Sequence, residues 1–284
     1  MIRLCILIIL FIFIGKGMGK ILSKDAEDEH KDSSDEIIEV QSNYIDPEDE
    51  VFSNIPANET SEILQSMVRQ DKRMKTILKN YDEYPEELLE MLSRNIEMLD
   101  FVLDYPEKKG NVYADTIGDK EKGSIPQLLQ WDQRWGYGNY GESIIGISGC
   151  GPTSLSMVIT GLTGNKEITP YEVAKFAEEN EYYVPGSGTS WSLFTEGSRN
   201  YGVQGRELPL SETSIYNALQ SGQPIICSMR PGDFTTTGHI IVLTGIKDGK
   251  ITVNDPNSNE RSSKLWDYET LEYQINNLWA FTIL

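Results

Sequence analysis

Histidine and cysteine, the side chains that carry most nucleophilic chemistry near neutral pH, are scarce in this chain. Its 284 residues hold two histidines and three cysteines. So few cysteines exclude a disulfide framework, and so few histidines leave almost no choice of base for a reactive thiol. Basic residues are also in deficit, 25 against 44 acidic, for a formal net charge of −19. Residues 111–284 alone carry 20 acidic and 12 basic side chains with no extended basic face, which disfavours nucleic acid because phosphate is repelled. The apolar run Leu4 to Ile14 is only 11 residues long, short for a membrane span, which needs about 20. Gly186-Ser187-Gly188-Thr189-Ser190 lacks the lysine and the strand–helix context of a phosphate-binding loop, so nucleotide binding is excluded there. No internal repeat of the kind used by wall-binding modules is present.

What the chain does contain is organised around Gly149-Cys150-Gly151-Pro152-Thr153-Ser154. Leu155, Val158, Ile159 and Leu162 follow at i, i+3, i+4 and i+7, which predicts a helix that Gly164-Asn165 ends. Cys150 then sits at a helix N-terminus, where the macrodipole and unsatisfied N–H groups favour a thiolate. The flanking glycines suit close approach of a substrate backbone, and Pro152 suits a first helical turn.

A nucleophilic cysteine needs a base. His30 lies in an acidic stretch, so His239 is the choice. It opens the β-branched run His239 to Ile246, and Lys247-Asp248-Gly249-Lys250 turns the chain into Ile251-Thr252-Val253-Asn254-Asp255-Pro256, a predicted hairpin. Asp255 stands near the open end of the second strand, where a carboxylate holds and charges an imidazole. With a two-residue turn at Asp248-Gly249, Ile246 opposes Ile251 and Asp255 opposes Val242. That register leaves Asp255 about 10 Å along the strand from His239 at ~3.4 Å per residue. A bulge, a bend or sheet twist has to close the gap.

These residues resemble the peptidase C39-like family, papain-like cysteine peptidases of bacteria. The carriers are Ile125 to Gly136 (IPQLLQWDQRWG), Gly149 to Ser154 (GCGPTS), Gly238-His239 and Asn254-Asp255-Pro256, in that order. The resemblance spans about 124–284 and implies Cys150 as nucleophile, His239 as general base and acid, and Asp255 as the orienting residue. It further implies a glutamine in the oxyanion hole, best matched by Gln130, with Gln127 and Gln133 as alternatives. No cofactor and no metal is implied. The chain carries no exporter module of the kind fused to transporter-linked members of the wider group, so cleavage of leader peptides does not follow.

The remainder falls into segments. Residues 1–19 read as a secretory signal or a retained anchor, with a basic start at Arg3 and small residues at Gly17 and Gly19. Residues 20–59 read as an acidic disordered tether: 21–60 hold 13 Asp and Glu against two Lys. Residues 60–106 read as a helical prefix, with one amphipathic helix from Thr60 to about Asn80, a second after Pro85 and a third capped by Asn95 and stopped at Tyr105-Pro106. Too short to bury a large core alone, the prefix reads as support for the enzyme domain more than as a wall of its cleft. A linker over 107–123 precedes the domain at 124–284. There, Trp131, Trp135, Tyr137 and Tyr140 read either as a cleft wall or as loop anchors. A helix from Thr169, another over Trp191 to Tyr201 and a third capped at Ser211 lead to strands at 224–229, 239–246, 250–256 and 278–284. Cys227 falls in the first of these strands and reads as an inert buried thiol. A loop from Arg230 to Gly238 joins the first two strands and reads as a candidate lid.

The expectation is an α+β protein of papain-like architecture, its nucleophile helix packed on an antiparallel sheet, that hydrolyses peptide bonds outside the cell or at its surface. Its partner is a peptide or protein substrate, and envelope association rests on the N-terminal segment. Two other readings stay open, a papain-like amidase acting on cell-wall peptides and a non-catalytic surface binding module of the same fold.

Overall fold

The computed structural model describes residues 55–119 and 122–284. The expected signal and the acidic stretch as far as residue 54 lie outside the described residues. Helix α1 (Glu59–Met67) begins with a reciprocal cap, in which Asn58 Oδ1 accepts the Ser61 N–H at 2.9 Å and Ser61 Oγ accepts the Asn58 N–H at 3.3 Å. The single helix expected as far as Asn80 is broken. Asp71 Oδ1 accepts the Arg73 N–H at 2.9 Å and its carboxylate also holds the Arg73 guanidinium, a local turn that competes with helical bonding, and α2 starts afresh (Met74–Lys79). After α3 (Glu86–Arg94), Asn95 accepts the Glu97 N–H at 3.1 Å and caps a 3₁₀ turn (Ile96–Met98) that runs into α4 (Leu99–Lys108). Pro106 lies inside α4 instead of stopping it; it falls in the last turn, where the lost N–H and the ring's crowding of the preceding turn disturb only the end of the helix.

Leu64, Ile77, Leu88, Leu92, Phe101 and Val102 from these helices form a core that Tyr137 and Ile144 complete from beyond the prefix. Phe101 stacks on Tyr137 with ring centres 4.3 Å apart, and the Tyr137 hydroxyl donates to Phe101 O at 3.1 Å. A Cβ on Gly136 or Gly146 would come within 3 Å of the Phe101 ring, so this ring seats the prefix against the backbone leading to Cys150. Phe101→Ala is expected to cost about 3–5 kcal/mol, read as a lowered urea midpoint. A loss under about 1 kcal/mol would show that the prefix docks without it.

Beyond the prefix, the hairpin of β1 (Asn139–Tyr140) and β2 (Ser143–Ile144) leads to the short α5 (Ile145–Ser148) and the long α6 (Cys150–Thr163). Every residue of α6 from Gly151 to Gly161 is buried, and Gly164, at φ 79°, closes it with a left-handed cap. Helix α7 (Pro170–Glu179) is capped by Thr169. The glycine-rich stretch expected as a turn joins a hairpin of β3 (Tyr183–Val184) and β4 (Gly188–Thr189). The expected helix over Trp191 to Tyr201 is α8 (Ser192–Thr195) followed by a 3₁₀ turn (Gly197–Tyr201).

The large sheet is built from β5 (Val203–Glu207), β6 (Ile225–Met229), β7 (His239–Lys247), β8 (Lys250–Asn254), β9 (Leu265–Trp266) and β10 (Ile275–Ile283). Its order is β5-β10-β6-β7-β8-β9 and every pairing is antiparallel. The four expected strands are present, and β5 and β9 add the edges. Val203-Gln204-Gly205-Arg206-Glu207 is too polar to announce a strand; its place beside β10 makes it one. Helix α9 (Glu212–Gln220), capped by Ser211, precedes β6, while α10 (Asn259–Ser263) and α11 (Tyr268–Glu272) flank β9. Strand β6 is buried on both faces. Ile226 belongs to the core shared with Leu155, Val158 and Ile159 of α6, and Ile225, Cys227 and Met229 belong to the core shared with Ile215 and Leu219 of α9. This fold is mixed helix and antiparallel sheet.

Candidate active site

Cys150 is the first residue of α6, and its thiol is partly exposed. The first N–H groups of a helix have no partner within it, so the donors of this end stand beside the sulfur. His239 is the first residue of β7, paired with Met229 at the end of β6. Both side chains line one open cleft of about 1000 Å³. Cys227 lies on the α9 side of the sheet and both thiols are free. Burial pushes the Cys227 thiol well above its ordinary range.

How Asp255 reaches His239 is settled by one irregularity. Asp248 and Gly249, at φ 53° and 77°, make the two-residue turn, and Ile246 faces Ile251 as expected. The register then shifts between Leu243 and Gly245, so that Asn254, not Asp255, faces Val242. Side chains alternate across a strand, and a shift of one residue changes the face. In the unshifted register Asp255 would share a face with Val242, opposite to that of His239. The bulge at Thr244 moves Asp255 one step nearer and turns it to the His239 side.

The result is a hydrogen bond of 2.7 Å between His239 Nε2 and Asp255 Oδ1, which leaves Nδ1 for Cys150. His239 is nearly buried and Asp255 fully so. Burial opposes charge on the imidazole. The Asp255 carboxylate and the neighbouring Cys150 outweigh it and raise His239 to about 9. Burial likewise opposes charge on Asp255, and the facing His239 and Arg261 win, holding it below the ordinary carboxylate range. Asp255 Oδ1 also accepts the Asn257 N–H at 2.7 Å, and Oδ2 accepts Arg261 Nε at 2.5 Å. Sequence reasoning missed Arg261; only its place six residues beyond Asp255, in a turn capped by Ser258, hints at it.

The glutamines behave differently from the expectation. Gln130 is buried, and its Nε2 donates at 3.0 Å to both Gly146 O and Ile147 O, just ahead of Cys150. A primary amide has two donor hydrogens, so none is left for an oxyanion. Gln127 Nε2 donates to Asp255 O at 2.6 Å, and Gln133 Oε1 accepts from Lys108 at 3.1 Å. None of the three lines the cleft.

The cleft walls come from two sources. Tyr183, Gly188, Thr189 and Trp191 come from the catalytic half, and Pro85, Glu87 and Tyr105 come from the prefix. The prefix is therefore a wall as well as a support. Trp135, Tyr137 and Tyr140 are fully buried anchors, and Arg230 is tied by its N–H to Gln274 O and by its guanidinium to Ile275 O. Of the loop it begins, Thr237 and Gly238 reach the cleft.

A thiol at a helix mouth beside a strand-end histidine is an arrangement suited to nucleophilic chemistry at sulfur. The sequence model of the Peptidase_C39 like family matches residues 109–281, more than half of the chain, and the chain belongs to that family. Among solved structures, the chain is similar to the peptidase domain of Streptococcus ComA, a bi-functional ABC transporter involved in a quorum sensing pathway. That match has 18% identity over 48% of this chain and 90% of the other, with a TM-score of 0.37. It is also similar to a C39-like peptidase from Bacillus anthracis, with 17% identity over 58% of this chain and 99% of the other and a TM-score of 0.32. No curated protein matches.

Proposed function

We propose that this protein is an exported cysteine peptidase of papain-like architecture, with a leader over 1–19, an acidic tether over 20–59, a helical prefix over 60–106, a linker over 107–123 and a catalytic domain over 124–284. The observation that carries the reading is the line from Asp255 through His239 Nε2, at 2.7 Å, to the Nδ1 side of the ring where Cys150 opens the cleft. An imidazolium held by a buried carboxylate stabilises the thiolate beside it. The Cys150 sulfur attacks a peptide carbonyl, and the N–H groups at the head of α6 receive the developing oxyanion. His239 gives its proton to the departing amine, leaving a thioester on Cys150. The same ring then takes a proton from water, whose oxygen attacks the thioester and releases the carboxylic acid and the thiol. Gln130 acts indirectly in this scheme, holding the Gly146 and Ile147 carbonyls so that Cys150 meets the cleft at a fixed angle.

Incubating the full chain with a diverse peptide library and sequencing the new N-termini tests the proposal. Cleavage by the wild type and none by Cys150→Ala is the expected result. An intact library, or cleavage that survives in Cys150→Ala, would remove the peptidase reading.

A further inference from the structure

The short turn between α3 and α4 touches both of the loops that present His239 and Asp255. Arg94 Nη1 donates to Thr236 Oγ1 at 2.8 Å, three residues before His239. Asn95 Nδ2 donates to Asn257 O at 2.5 Å, two residues after Asp255. Glu97 collects three donors from the turn that follows: Ser258 Oγ at 3.1 Å and the Glu260 N–H at 3.1 Å on Oε1, and the Asn259 N–H at 3.0 Å on Oε2.

That turn is the one that aims Asp255. Asn257 supplies an N–H to Asp255 Oδ1, Arg261 supplies Nε to Oδ2, and Ser258 Oγ accepts the Arg261 N–H at 3.1 Å. Ser262 ties the turn from within, its Oγ donating to Ser258 O at 2.7 Å and accepting the Asp255 N–H at 2.9 Å, while Arg261 Nη2 and Asn257 Oδ1 are buried with no partner, and Glu97 is the carboxylate that holds the turn from outside. A carboxylate accepting three donors is a strong anchor. We propose that Glu97 is a positioning residue, which holds the 258–260 turn so that Arg261 and Asn257 keep the Asp255 carboxylate on His239. The prefix is then a working part of the site, although Glu97 touches no reacting atom. The inference rests on the peptidase reading for the word site; the contacts do not.

The test follows the His239 imidazole by NMR in the full chain, its resonance identified by loss in His239→Ala. The charged or titratable groups around that ring are Asp255 after β8, Cys150 on α6, and Arg261 on α10 behind Asp255. In Glu97→Ala the His239 midpoint is expected to fall by about one unit or more, which is tenfold in the charged-to-neutral ratio. Glu97→Gln, which keeps an acceptor oxygen and loses the charge, falls in between. A purely structural role would lower the melting temperature and leave the midpoint where it was, and that result would overturn the proposal. If Glu97→Ala does not fold, Glu97→Gln decides: a lowered midpoint supports the role and an unchanged one overturns it. Failure of the wild type to cut any peptide would overturn the peptidase reading and leave this titration fully informative.

Discussion

His239→Ala is expected to slow the alkylation of Cys150 by iodoacetamide at neutral pH, because His239, raised to about 9, carries its charge across the neutral range beside the sulfur. Peptide hydrolysis falls by roughly 10²–10⁴-fold with the loss of the proton donor. The sign on the alkaline side follows from the same group. Above pH 9 the ring is neutral, so the wild-type turnover rate declines there. Equal labelling curves for the two proteins would mean that the histidine does not activate the sulfur, and the binding-module reading would replace the enzyme.

Asp255→Ala is expected to destabilise the fold strongly. Removing the carboxylate strands two cations that face it, His239 at 2.7 Å and Arg261 at 2.5 Å, in a site where Asp255 itself has no exposed surface. Breaking a buried pair by deleting one partner costs about 3–5 kcal/mol, readable in urea unfolding. The pH dependence separates this from simple loss of packing. The pKa of His239 is raised by folding, so its contribution is complete below the ordinary 6.5 and is lost as pH rises through about 9. That of Asp255 is lowered, so its contribution is complete above the ordinary 3.8 and is lost as pH falls through its depressed native value. The wild type therefore gains most from the pair between those two ordinary values, and Asp255→Ala loses both slopes. A variant within 1 kcal/mol of the wild type, with both slopes retained, would show that the pair does not hold the fold.

Much of the site was legible in one dimension. GCGPTS before an apolar period of 3.6 places Cys150 at the head of a helix, because that period has only one way to bury its face beneath a glycine and a proline. With one histidine outside the acidic stretch, the choice of His239 followed by elimination, and the Asp248-Gly249 turn assigned the hairpin. These are local signals, each complete within about a dozen residues. The break between α1 and α2 was less legible, because an Asp–Arg pair two residues apart bends the chain while the apolar pattern runs on through it.

The tertiary structure decided the rest, and in each case the reason is contact across distance. The bulge at Thr244 leaves no mark in the sequence, yet it sets the face from which Asp255 meets His239. Strand β5 is a strand because β10 lies beside it. Gln130 donates to Gly146 and Ile147, residues whose proximity no spacing rule contains, so the amide expected at the oxyanion is spent on the backbone ahead of Cys150 instead. The prefix forms a core of its own with Tyr137 and Ile144 and supplies Glu87 and Tyr105 to the cleft. The sequence by itself determined which side chains are candidates for the chemistry and in what order they come, since those depend on residue type. Their aim depends on hydrogen bonds such as that between His239 and Asp255, which meet across the sheet only once the chain has folded.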